Sequence, residues 1–119
     1  MRNFRNLEIW SQGIELVKQI YLVSKEFPSE ERYGLRSQIT RTTVSIPSNI
    51  AEGASRNSDV EFKRFLEIAM GSLFEVETQL VIVEEIGLVT SNKLKPIFEL
   101  LEKEAKMING LINKLKAKN

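Results

Sequence analysis

The sequence predicts an all-α fold, an antiparallel up-down-up-down four-helix bundle with a kinked second helix, as one domain over residues 1–119. Three observations predict it. Apolar residues recur at spacings of three and four along four separate stretches, start and stop signals punctuate those stretches, and no segment alternates as a strand would. The chain's 119 residues are enough for one continuous core and too few for two.

The first helix is expected from about Leu7 to Phe27, with Asn6 as its N-cap, Glu8 favouring the positive helix end, and Pro28 stopping it. Its seam reads Leu7, Trp10, Ile14, Val17, Tyr21, Ser24. A second stripe, Ile9, Leu16, Ile20, Val23 and Phe27, lies beside it, so the apolar face is wide enough for burial on two sides. Ser29, Glu30 and Glu31 start a short turn that ends near Gly34. The second helix is expected from Leu35 to about Gly53. Pro47 sits inside it and forfeits the bond to the Thr43 carbonyl, which predicts a kink. Thr42, Thr43 and Ser45 carry hydroxyls that can satisfy loosened backbone groups or favour a break.

The third helix opens on a capping box, Ser58 with Glu61, and closes on Gly87. Between them Phe62, Leu66, Ala69, Leu73, Val76, Leu80 and Val83 form a heptad seam, roughly 40 Å long at about 1.5 Å per residue. The fourth helix begins near Ser91 or Asn92, accommodates Pro96 near its first turn, and runs through Leu94, Ile97, Leu101, Ala105, Ile108, Ile112 and Leu115 into a lysine-rich end. Gly53, Gly71 and Gly87 read as a helix end, a close helix contact and a cap. None belongs to a phosphate-binding loop.

Composition narrows the chemistry. The chain has no cysteine and no histidine, which removes thiolate nucleophiles, disulfides, the usual zinc ligands and the commonest proton carrier near neutral pH. No metal or other cofactor is expected, and no enzyme. No stretch has the length and apolarity of a signal peptide or membrane span, so the expectation is a cytoplasmic protein without membrane contact. The formal net charge of +1 gives little general attraction for nucleic acid, so such binding needs bases gathered on one face.

Two groups of residues stand out. Arg41, Ser45, Asn49, Glu52 and Arg56 share one face of the second helix, and Ser72 and Glu75, with Gln79, interrupt the third. They read as solvated faces or as a structural ion-pair network between packed helices; a partly buried network is predicted, in which Arg41 pairs with Glu52 or Glu75, so that removing one partner costs about 3 to 5 kcal/mol. A Glu52–Glu75 carboxylate pair could instead serve acid-base or metal chemistry. The chain lacks the Glu-x-x-His repeat typical of di-metal bundles. The second group is basic: Arg2 and Arg5 at a mobile N-terminus, Lys63 and Arg64, and Lys114, Lys116 and Lys118 are candidates for phosphate contact. Their alternative is a solvated helix surface. Trp10 and Tyr21 are expected in the core, unavailable for base stacking.

The stretch Gly34-Leu35, Gln38-Ile39, Arg41, Val44-Ser45-Ile46-Pro47-Ser48-Asn49-Ile50-Ala51-Glu52-Gly53 and Arg56 resembles the signature of the 23S ribosomal RNA intervening-sequence protein family. Phe65-Leu66, Ala69, Gly71-Ser72-Leu73 and Glu75 extend the likeness, as do Leu7, Trp10, Leu16, Tyr21 and Phe27-Pro28. The resemblance implies a homopentameric ring of four-helix bundles. It also implies kinship with the accessory variability determinant of diversity-generating retroelements, whose basic ring binds nucleic acid and a reverse transcriptase. The expected function is a non-catalytic oligomeric scaffold whose partner is RNA or a reverse-transcriptase-like protein. The alternative is a structural or protein-interaction module without nucleic acid.

Overall fold

The computed structural model describes residues 2–118, without the side chain of Lys118. Among them the chain forms four α-helices and no strand: α1 (Glu8–Ser24), α2 (Leu35–Ala54), α3 (Asp59–Glu85) and α4 (Ser91–Lys118). Single 3-10 turns at Phe4–Asn6 and Ser29–Glu31 precede α1 and α2. Packing runs α1 on α2, α2 on α3, α3 on α4 and α4 on α1, within a body measuring 46 × 22 × 20 Å.

The helix limits follow local chemistry. At α3, the Ser58 hydroxyl accepts the Glu61 N–H at 3.2 Å, and Asp59 and Glu61 complement the positive end. Its other end is a Schellman turn. Gly87 takes φ +75°, its N–H donates to the Glu84 carbonyl at 3.2 Å, and Leu88 N–H donates to Val83 at 3.1 Å. At α2 the cap comes from a residue the sequence reading passed over: Glu31 accepts the Leu35 N–H at 3.2 Å. The first helix starts one residue later and ends three residues earlier than expected. Asn6 does not cap it, because residues 4–6 wind into the 3-10 turn, which Asn3 caps by accepting the Arg5 N–H at 3.1 Å.

Pro47 leaves α2 helical from Leu35 to Ala54. The neighbouring hydroxyls donate one turn back, Thr42 to Gln38, Thr43 to Ile39 and Ser45 to Thr42, at 2.8, 2.7 and 2.5 Å, rather than acting on the Thr43 carbonyl. In α4, Pro96 is the sixth residue, so it lies beyond the first turn.

One buried cluster draws on every helix, including Leu16, Ile20, Ile39, Ile46, Ile50, Phe62, Leu66, Leu73, Leu80, Leu101 and Ile108. On α1 the core takes the stripe Ile9, Leu16, Ile20, Val23, while the stripe expected as the seam lies at its flank: Trp10 is half-buried and Tyr21 is 47% exposed. Both stripes are mainly apolar; the one facing α2 and α4 is enclosed, and of the other only Ser24 is. The close helix contact belongs to Gly53, not Gly71. A Cβ on Gly53 would sit 2.6 Å from Phe65 Cβ and 3.1 Å from Phe62 Cδ1, whereas Gly71 is exposed with nothing within 4 Å of such an atom.

Candidate functional site

The polar stripe of α2 is satisfied locally except at Arg56, whose Nε is buried without a hydrogen-bond partner among the described residues. Asn49 Nδ2 donates to the Ser45 carbonyl at 2.7 Å, and Arg56 lies 3.6 Å from Glu52 one turn away. Arg41 is exposed and donates to Ser37 Oγ at 3.4 Å. Among the described residues Arg41 forms no ion pair with Glu52 or Glu75, so the expected buried network is not formed within one chain. Its charged members point outward at helix edges: Glu52 and Glu75 are exposed, and Ser72 is half-buried. The polar link between α2 and α3 runs instead through Gln79, which is buried and donates to Thr42 Oγ1 at 3.4 Å. Among the described residues no group of three or more His, Cys, Asp or Glu is placed to hold a metal ion.

Bases from several elements meet at one end of the bundle. Arg2 is fixed there rather than mobile. Its N–H donates to the Ala54 carbonyl at 3.1 Å, its guanidinium donates to the Arg56 carbonyl at 3.2 Å and pairs with Asp59, and it lies 4.4 Å over the Phe62 ring. Arg5 is exposed over Phe4 and Trp10 at 5.6 and 5.9 Å, and those two rings meet edge to face at 5.1 Å. Residues Leu7–Ile9 share a cleft with Met107, Leu111 and Lys114 of α4. The N-terminal segment therefore lies against the α2–α3 connection and the last turns of α4. Lys63 is engaged with Glu67 at 3.8 Å. Arg5, Arg64, Lys114 and Lys116 are exposed and form no ion pair with a described residue; the Lys118 side chain lies outside the described residues.

Two apolar surfaces face outward. Between α3 and α4 a groove of about 740 Å³ exposes Phe74 and Val81 beside half-buried Phe98, over Leu73 and Leu101, rimmed by Glu77, Glu84, Glu99 and Glu102 with Lys95 among them. On α1, Ile14, Lys18 and Tyr21, with Lys25 just past its end, form an exposed stripe at helical spacing, apolar and basic in alternation, in which Lys18 lies 3.6 Å from Glu15. Among the described residues no helix is long and apolar enough to cross a membrane.

A third feature is internal. Glu104 on α4 is 0% exposed, and neither carboxylate oxygen has a hydrogen-bond partner. Burial, and next the negative charge of Glu8, push its carboxyl up to about 8, against a smaller opposing pull from Lys103. The sequence reading placed Ala105 on this seam, yet Ala105 is only half-buried. Counting three and four from Leu94, Ile97 and Leu101 reaches 104 and 108, so the heptad register held the signal.

A model of the 23S rRNA-intervening sequence protein family matches residues 5–110. The chain belongs to that family. No curated protein matches it. Much of the stretch that resembles the 23S rRNA-intervening sequence proteins builds α2 and its contact with α3. Ile46, Pro47, Ile50 and Gly53 are buried, Ser45 and Asn49 bond backbone carbonyls, and Gly53 admits Phe62 and Phe65. Those buried positions account for packing, whereas Arg41 and Glu52 of the same helix are exposed.

Proposed function

We propose that this protein is a non-catalytic, self-assembling scaffold that engages RNA through phosphate contacts. What supports it is the convergence at one end of the bundle of Arg5, Arg64, Lys114 and Lys116, all exposed and without an ion pair among the described residues. A base already paired must give up its partner to neutralise a phosphate; these four need not. Four charges per chain are modest, and repetition around an assembly multiplies them. A homopentamer is the expected assembly, and kinship with the accessory determinant of diversity-generating retroelements is part of this reading, with a reverse-transcriptase-like protein as a further partner. RNA as ligand places the protein in the cytoplasm. Catalysis has no part in it: the chain offers no histidine or cysteine, and Glu52 is engaged with Arg56.

The helix arrangement that goes with this function is antiparallel, up-down-up-down, with a bend at Pro47. Short connections between helices that pack on their chain neighbours support the first, and the missing proline N–H supports the second. Assembly draws on the two outward surfaces. The basic and apolar stripe of α1 complements the acid-rimmed groove between α3 and α4, and a contact between unlike faces generates a ring when its rotation closes. That same groove favours a second reading, in which the protein is an interaction module without nucleic acid.

Mobility-shift titration of an unstructured RNA separates the two. The wild type is expected to shift it at low salt, and a Lys114, Lys116, Lys118 triple alanine variant to need several-fold more protein. No shift by the wild type at low salt rejects RNA binding, and an unchanged variant rejects the C-terminal end as its site.

A further inference from the structure

We propose that Glu104 is a proton-binding site built into the bundle, at which the packing of α4 against α1 is coupled to the uptake of one proton. The carboxyl is fully enclosed, and neither oxygen has a partner. Its surroundings are shaped for a neutral group. Glu104 Oε2 lies 3.3 Å, and Pro47 Cβ 3.2 Å, from the point where a Cβ on Gly13 would stand. Gly13 thus vacates the space that the carboxyl fills, and it has no side chain to offer as a donor. Pro47, on the other side, lacks even a backbone N–H.

The charged groups acting on the carboxyl can be named helix by helix. From α1, Glu8 repels the anion. On α4 itself, Lys103 favours it, from an exposed position. The buried face of α2 carries Ile39, Thr43, Ile46, Pro47 and Ile50, and that of α3 carries Phe62, Leu66, Leu73, Val76, Gln79 and Leu80; neither includes an ionisable side chain. A carboxylate without a counter-charge or hydrogen bond in such a place is strongly disfavoured, so the acid form belongs to the closed bundle.

The pH window follows from the difference between folded and unfolded chains. In the unfolded chain the carboxyl has its ordinary value of 4.5, and in the bundle about 8. Below about 4.5 both states hold the proton and nothing is lost. Between the two values the bundle keeps a proton that the unfolded chain has released, so each unit of rising pH lowers the folding constant by up to about tenfold. Above about 8 both states are ionised and the loss levels off. Neutral pH lies on the falling part of the curve. Proton uptake therefore tightens the seam of α4 with α1, and proton release loosens it.

Two measurements on the full chain test this. Carbon-13 NMR of glutamate-labelled wild type, with Glu104 assigned through its backbone, should show its carboxyl titrating near 8. Denaturant melts between pH 5 and 8 should show the folding constant of the wild type falling by up to about tenfold per pH unit more steeply than that of Glu104→Gln or Glu104→Leu. A Glu104 carboxyl titrating near 4.5 overturns the proposal, as does an equal slope in wild type and variants. The NMR titration decides the matter even if neither variant folds.

Discussion

A methyl group added at Gly53 has no room. It would meet Phe65 Cβ at 2.6 Å and the Phe62 ring at 3.1 Å, and both belong to α3, whose backbone must then move. Gly53→Ala is accordingly expected to destabilise the bundle by about 1 to 3 kcal/mol in denaturant melts, the usual cost of overpacking, although alanine is the better helix former. A change below about 0.5 kcal/mol would mean the contact relaxes freely. The charged residues nearby behave differently. Arg41 makes one long bond to Ser37 and Glu75 is exposed, so Arg41→Ala and Glu75→Ala should each cost under about 1 kcal/mol by the same measurement. A loss of 3 kcal/mol or more would reinstate the buried network inferred from their spacing. A shared helix face says which residues are neighbours, and not whether the face is turned inward; within one chain Arg41, Glu52 and Glu75 are exposed.

Helices betray their ends more readily than their orientation. The Ser58 and Glu61 pair and Gly87 act within a few residues of themselves, and the limits of α3 could be read from them, whereas α1 ends at Ser24, three residues before the Phe27 that Pro28 predicts. Which stripe of α1 is enclosed depends on where α2 and α4 lie, and periodicity carries no such information; hence Tyr21 lies outside and Ile20 inside. Glu104 was hidden for a related reason, since a glutamate in a lysine-rich helix reads as solvated until its neighbours are placed around it. The apolar surfaces that α1 and the pair α3 and α4 leave uncovered bear on assembly. Light scattering at micromolar concentration should give a multimer for the wild type and a smaller mass for Phe74→Glu, whose carboxylate would add to an acidic rim and remove a 55% exposed aromatic from the groove. A monomeric wild type would rule out assembly, and an unchanged mass for Phe74→Glu would place the interface elsewhere.

At the level of the whole molecule, function rests on how charge is distributed rather than on its sum. A chain with a net charge of +1 has no general affinity for polyanions, so the proposed RNA binding rests on the end where Arg5, Arg64, Lys114 and Lys116 are exposed and form no ion pair with a described residue. Such contacts read phosphates and not bases. The most direct measurement is therefore the salt dependence of affinity, by fluorescence anisotropy, for two single-stranded RNAs of equal length and unrelated sequence. Both should weaken together as salt rises, with log affinity falling against log salt by about 0.7 for each phosphate neutralised, and so by several units for an assembly presenting its bases in concert. An affinity indifferent to salt, or a slope shared by the Arg64, Lys114 and Lys116 triple alanine variant, would contradict a phosphate-binding scaffold.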